Sequence, residues 1–326
     1  MHQNPYFRAS NQQILHLRGV STFIFRKIFM NNLFIEADKE IKKFLVLIKE
    51  GQDLFPTTYV SADLLKKGFV QYNGVIVPLD KVSYEFLFDY YHKAFLSAYI
   101  TFFERLWEER NSLTNEFALR AILEMGIENS FIIFDRRVEN NDKKLYLTIL
   151  LLTDYSSIET SMKSLFYGWF NRLLNENEEF LHTNISPKEW KIISDLKDVV
   201  KDSSDKIKYR KAIKKARSLL SNVKYKILEK YTKKNIYIET ENYKGIKSGE
   251  SHTLHGNIFL IIHRLNQKSQ ENHLFRVYSY LFISGIEMLK RLSDFHNDKF
   301  YKEEALNFID NHSKFKIKLI EAWKSS

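Results

Sequence analysis

Breaks are scarce in this chain. Its 326 residues contain only 10 Gly and 4 Pro, whereas a fold of many short strands, or a glycine-rich nucleotide-binding fold, needs such residues at every turn. Long periodic stretches fill the space between the few breaks. The expected fold is therefore mostly α, a helical bundle with at most one small β-hairpin. That hairpin is expected at Phe69–Pro78, where Asn73-Gly74 lies between β-forming residues in the pattern of a two-residue turn. Ser83–Arg110 carries Phe86, Phe88, Tyr90, Tyr91, Phe95, Tyr99, Phe102 and Phe103 and is apolar on most sides, which predicts the central buried helix. The sequence divides into residues 1–80, with N-terminal helices and an irregular or hairpin segment, and a main bundle over 81–326. A basic helical insertion is expected at about 186–240.

Cysteine is absent, which excludes disulfides, thiol catalysis, iron–sulfur clusters and cysteine-based zinc sites. The first residues, Met1 to Gln13, are polar and include Pro5, and the longest apolar-rich run, 145–152, is too short to span a bilayer. No membrane span and a cytoplasmic location are expected. No P-loop, Gly-x-Gly-x-x-Gly or His-Glu-x-x-His pattern occurs, so no cofactor is expected.

The formal net charge is +10, but its distribution is uneven. Residues 206–234 hold twelve Lys or Arg and a single acid, Glu229, a net of +11, so the remainder of the chain sums to −1. Within that segment Tyr209, Ile213, Ala216, Leu220, Val223, Ile227 and Tyr231 recur every three or four residues, one amphipathic stripe. Lys206, Lys208, Arg210, Lys211, Lys214, Lys215, Arg217, Lys224 and Lys226 occupy the other faces and are the candidate nucleic-acid contacts. Surface helices ordinarily mix signs to limit repulsion. Lysine-rich contact suits phosphate binding without base reading. An acidic protein is the alternative partner of the same face.

Three charged residues fall where apolar ones are expected. With 100° per residue over 114–135, Phe117, Leu119, Leu123, Ile127, Phe131 and Phe134 define an apolar arc, and Arg120, Glu124 and Glu128 lie within it at one-turn spacing. Charges facing a core need partners. Arg120 and Glu124 can neutralise each other, which leaves Glu128 in need of a donor. The segment Ser248–Asn257 offers His252 and His255, and His255 shares a face with Phe259 and Ile262, so Glu124 or Glu128 is expected to meet His255. Three readings follow: a structural hydrogen-bonded network, a catalytic or ligand-binding cluster with His255 as acid or base, or a metal- or small-ligand-binding bundle. The Glu-x-x-His pairs of di-iron bundles are missing, and no residue is assigned as a metal ligand.

The Arg120-x3-Glu124 helix followed much later by Ser251-x3-His255-Gly256 resembles a bacterial helical family known only as a domain of unknown function. The resemblance covers about 80–290. It implies that the two segments pair and implies no chemistry. Separately, Arg291-Leu-Ser-Asp-Phe-His296 fits the spacing of helical ribonucleases of the HEPN type, in which such a pair cleaves RNA without metal in a dimer. A chain with 14 Arg and 10 His gives roughly one such match by chance. The plain alternative is an Arg and a His at a solvated helix end. The functional expectation is a nucleic-acid-associated helical protein of the RNA-cleaving toxin or phage-defence type, as a homodimer in that case. The competing expectation is a non-enzymatic interaction module in which the polar cluster is structural.

Overall fold

The computed structural model describes residues 32–56, 58–59, 63–64, 67–78, 81–82, 84–110, 116–157, 163–202, 204–237 and 270–324. Helix α1 covers 32–53 and runs through Gly51. The glycine allows a close contact there, since a Cβ at position 51 would overlap the Tyr301 ring. Strands β1 (Thr58–Tyr59), β2 (Phe69–Tyr72) and β3 (Val75–Pro78) follow in the order β1-β2-β3, all antiparallel. The expected hairpin is β2–β3. Asn73 and Gly74 both adopt positive φ, 49° and 80°, and pair Tyr72 with Val75 across the turn.

Helix α2 spans Tyr84–Glu108, and its Phe95, Tyr99 and Phe103 are buried. Helix α3 begins as Glu116–Leu123, opens into a π-helical stretch at Glu124–Asn129, and finishes as Ser130–Phe134. Then come α4 (Asn140–Ser157), α5 (Lys163–Glu176), α6 (Glu178–Asn184), α7 (Pro187–Lys201) and α8 (Lys206–Lys233). The polar stretch around 178–184 folds as α6 because Leu181 is buried and the acidic Glu178 and Glu179 sit favourably in its first turn. The Ser186-Pro187 start of α7 carries a complete capping box with Glu189. Helices α9 (Gln270–Phe295) and α10 (Lys299–Lys324) complete the mostly α fold.

Helix α9 packs along α10, α3 and α2, while α8 packs on α4 and α7. Helix α1 joins the first group through Phe44, whose ring meets Phe282 of α9 and Phe308 of α10. The basic segment is thus an integral layer of the bundle. It buries Ala212, Ile213, Ala216, Leu219, Val223, Ile227, Leu228 and Tyr231, and one continuous apolar core includes residues from both groups. The segment 248–257, and His252 and His255 with it, lies outside the described residues.

Candidate functional site

The charges of α3 that lie within its apolar arc are matched one by one. Arg120 Nε lies 3.0 Å from Glu124 Oε1, the expected pairing one turn apart. Glu128 is fully buried, and Lys224 Nζ of the basic helix lies 2.8 Å from its Oε2. The cation therefore comes from α8, whose lysines lie outside its apolar stripe, and a donor from 248–257 is not required to neutralise Glu128. Whether His255 also faces this carboxylate concerns residues outside those described. Burial raises the pKa of the Tyr146 phenol close by, with Asp154, Glu128 and Glu124 adding to it.

The π-helical stretch was not visible in the sequence, because a wheel with constant rotation assumes it away. The Ser284 hydroxyl of α9 donates to Ile122 O, two residues before that stretch, at 2.6 Å. Since its proton is used there, the Tyr99 hydroxyl is the donor in the 2.9 Å contact with Ser284 Oγ. Ser130 Oγ donates to the Gly126 carbonyl. A Cβ at Gly126 would overlap the Ser284 side chain and its backbone oxygen, so this glycine permits the close approach of α3 and α9. Among the described residues no group of three or more His, Asp or Glu is placed to hold a metal ion. The cluster binds its own charges and leaves none in excess.

Arg291 and His296 are both buried, against the expectation of a solvated helix end. Arg291 Nη1 donates to Asp135 Oδ2 at 2.7 Å and Nη2 to Glu287 Oε2 at 3.0 Å, while the guanidinium lies 5.2 Å above the Phe131 ring. Asp135 is also gripped by Arg137 through both carboxylate oxygens, at 2.9 and 2.7 Å. These donors hold its pKa below the ordinary carboxylate value despite desolvation, which acts the other way. His296 is enclosed by Phe55, Phe295 and Tyr301. Burial lowers its pKa, partly offset by a hydrogen bond to the Gly51 backbone. Arg291, committed to two carboxylates, ties α9 to the end of α3, and His296, walled by aromatics, sits at the end of α9 against Phe55 and Tyr301; neither is presented to a substrate in this arrangement.

The cations of α8 divide along its length. In the C-terminal half Lys224 meets Glu128, Lys226 meets Glu189 at 2.6 Å, Lys230 meets Glu139 and Asp142 at 2.9 and 2.8 Å, and Lys234 meets Glu139 at 2.9 Å. Paired lysines hold Glu139 at a pKa of about 2. Lys224 and Lys226, two of the candidate nucleic-acid contacts, thus have acidic partners within the protein. In the N-terminal half Lys206, Lys208, Arg210, Lys211, Lys214 and Arg217 are exposed, and none has an acid within ion-pair distance among the described residues. Lys215 has only a long contact, 3.7 Å, with Asp195. Asp205 caps the helix by accepting from the amides of Ile207 and Lys208. No protein-family model, no curated protein and no solved structure matches this chain.

Proposed function

We propose that this protein binds nucleic acid through the sugar–phosphate backbone, using the N-terminal half of α8. The observation that carries the reading is the uneven fate of the α8 cations. Where lysines stabilise the fold, acids from α3, α4 and α7 meet them. Over 206–217 the one ion-pair contact among the described residues is the long one of Lys215 with Asp195, and six further cations are exposed. A concentration of unneutralised positive charge attracts polyanions, and binding of this kind releases counterions and tolerates sequence. Cleavage is not part of the proposal, because Arg291 is committed to Asp135 and Glu287 and His296 is enclosed by aromatic rings.

The test is binding of a labelled oligonucleotide followed by fluorescence anisotropy across a salt series. Six phosphate contacts give a slope of log K against log salt of roughly −4 to −5. Replacing Lys206, Arg210, Lys214 and Arg217 together by Gln should weaken binding at least about tenfold at about 0.1 M salt and flatten that slope by about 3. A salt-independent affinity, or a variant that binds as well as the parent, would overturn the reading. An acidic peptide that binds as tightly as the oligonucleotide would transfer the surface to an acidic protein partner.

A further inference from the structure

Resting on the phosphate-binding reading, the geometry points to a particular ligand: we infer that the N-terminal half of α8 lies along the major groove of double-stranded B-form DNA, one row of cations toward each strand. At 100° per residue the exposed charges of 206–217 fall into two rows along the helix. Lys206, Arg210, Lys214 and Arg217 form one row, and Lys208, Lys211 and Lys215 form the other, with their mean directions roughly 140° apart around the axis. Between them runs an uncharged line. Ile207, 69% exposed, and Ser218 lie on it, and Tyr225, 48% exposed, continues it further along the helix. The opposite side is the buried stripe of Ala212, Ala216 and Leu219.

This layout matches the groove in cross-section. A helix with its side chains is about 10–12 Å across, and the major groove of B-DNA is about 12 Å wide, flanked on each side by a phosphate chain. Two rows of cations then face two chains, while the uncharged line faces the base edges. Ile207 can make apolar contact there with thymine methyl groups, and Ser218 can donate or accept at any base. The charged stretch from Lys206 to Arg217 is about 16 Å long, the rise of roughly five base pairs. A single strand uses only one row at a time. The major groove of an A-form RNA duplex is too narrow and deep to admit the helix.

The rows are unequal, which sharpens the inference. Asp195 lies 3.7 Å from Lys215, and the Asp202 carboxylate feels the charge of Lys208. Arg217 likewise feels the Asp154 carboxylate, whereas Lys206, Arg210 and Lys214 are exposed with no acid within ion-pair distance among the described residues and should contribute most of the binding.

The experiment compares one sequence as a DNA duplex of about 24 base pairs, as its single DNA strand and as an RNA duplex, at about 0.1 M salt. The DNA duplex is expected to bind at least about tenfold more tightly than either alternative. Ser218→Trp, an exposed site on the uncharged line, should abolish that preference by keeping the helix out of the groove, with single-strand affinity unchanged within about twofold. Circular dichroism of the variant controls for folding. If the single strand or the RNA duplex binds as well as the DNA duplex with the steep salt slope intact, groove seating is wrong and backbone binding stands. If none of the three binds, both readings fall.

Discussion

Lys224 and Lys214 belong to the same helix, yet one is an internal counterion and the other stands in solvent. The side chain of Lys224 is 12% exposed, and that of Glu128, facing it at 2.8 Å, is 1% exposed. Removing one member of a buried pair strands the other charge, which typically costs about 3–5 kcal/mol. Lys224→Met should therefore destabilise the protein by about that amount in urea unfolding, and adding Glu128→Gln should recover part of the loss. Equal destabilisation by Lys214→Met would show that the two lysines are not distinguished in this way. Gly126 makes a second case. A methyl group there meets both the hydroxyl and the backbone oxygen of Ser284, so Gly126→Ala should cost about 2 kcal/mol or more. A Ser284→Ala background should rescue it only in part, because the carbonyl remains. The need of Glu128 for a donor was legible from the helical spacing, and so was the Arg120–Glu124 pair. The identity of the donor was not. Lys224 lies at the edge of the apolar stripe of α8, and a wheel shows only that such a residue borders the core, not which carboxylate waits on the neighbouring helix.

An element that places like charges one turn apart works against its own helix. Lys206, Arg210 and Lys214 repeat at four-residue spacing, as do Lys211 and Lys215, and each such pair destabilises by about 0.2–0.5 kcal/mol. If the row were only structural, replacing it would be neutral or harmful. Lys206, Arg210, Lys214 and Arg217 changed together to Gln, a comparable helix former, should instead raise stability by up to about 1 kcal/mol. Thermal unfolding at low salt reads this directly, and the gain should shrink as salt screens the repulsion. A loss of stability would mean that these side chains hold something in the fold. Most elements were legible because few residues break the chain and because caps mark the starts, as at Ser186-Pro187. Two were not. Helix α6 is too polar and short to show a period, and its formation depends on seating Leu181 in the core. The π-helical turn of α3 packs through Gly126 against Ser284 of α9, a partner that a local pattern cannot contain.

At the scale of the whole molecule, the division between fold and charged surface predicts two separate responses to solution conditions. Salt acts on the exposed cations of α8, whereas pH acts on histidines sealed in the core. The arrangement of helices around α9 was not readable from sequence, since it rests on aromatic contacts between distant segments. His92 of α2, for example, packs against Phe55, Phe134 and Phe295. Burial lowers the pKa of His92 to about 3, with the charge of Lys143 acting in the same direction. Burial lowers that of His296 as well. In the unfolded chain an imidazole titrates near 6.5, so between that value and about 3 the unfolded state binds a proton that the folded state refuses at His92. Stability is then greatest above pH 6.5 and falls as pH drops through this window. From pH 7 to pH 5 His92 alone costs about 2 kcal/mol, and His296 adds to the loss. Asp154 opposes it, because protein around its carboxyl raises its pKa to about 6. That side chain is exposed, so solvent weakens its contribution and the histidines set the sign. His92→Phe keeps the ring packing and removes the titrating group. Its urea midpoint should change far less than the parent's between pH 7 and pH 5. If parent and variant lose stability in parallel over that interval, the acid sensitivity arises elsewhere than at this histidine.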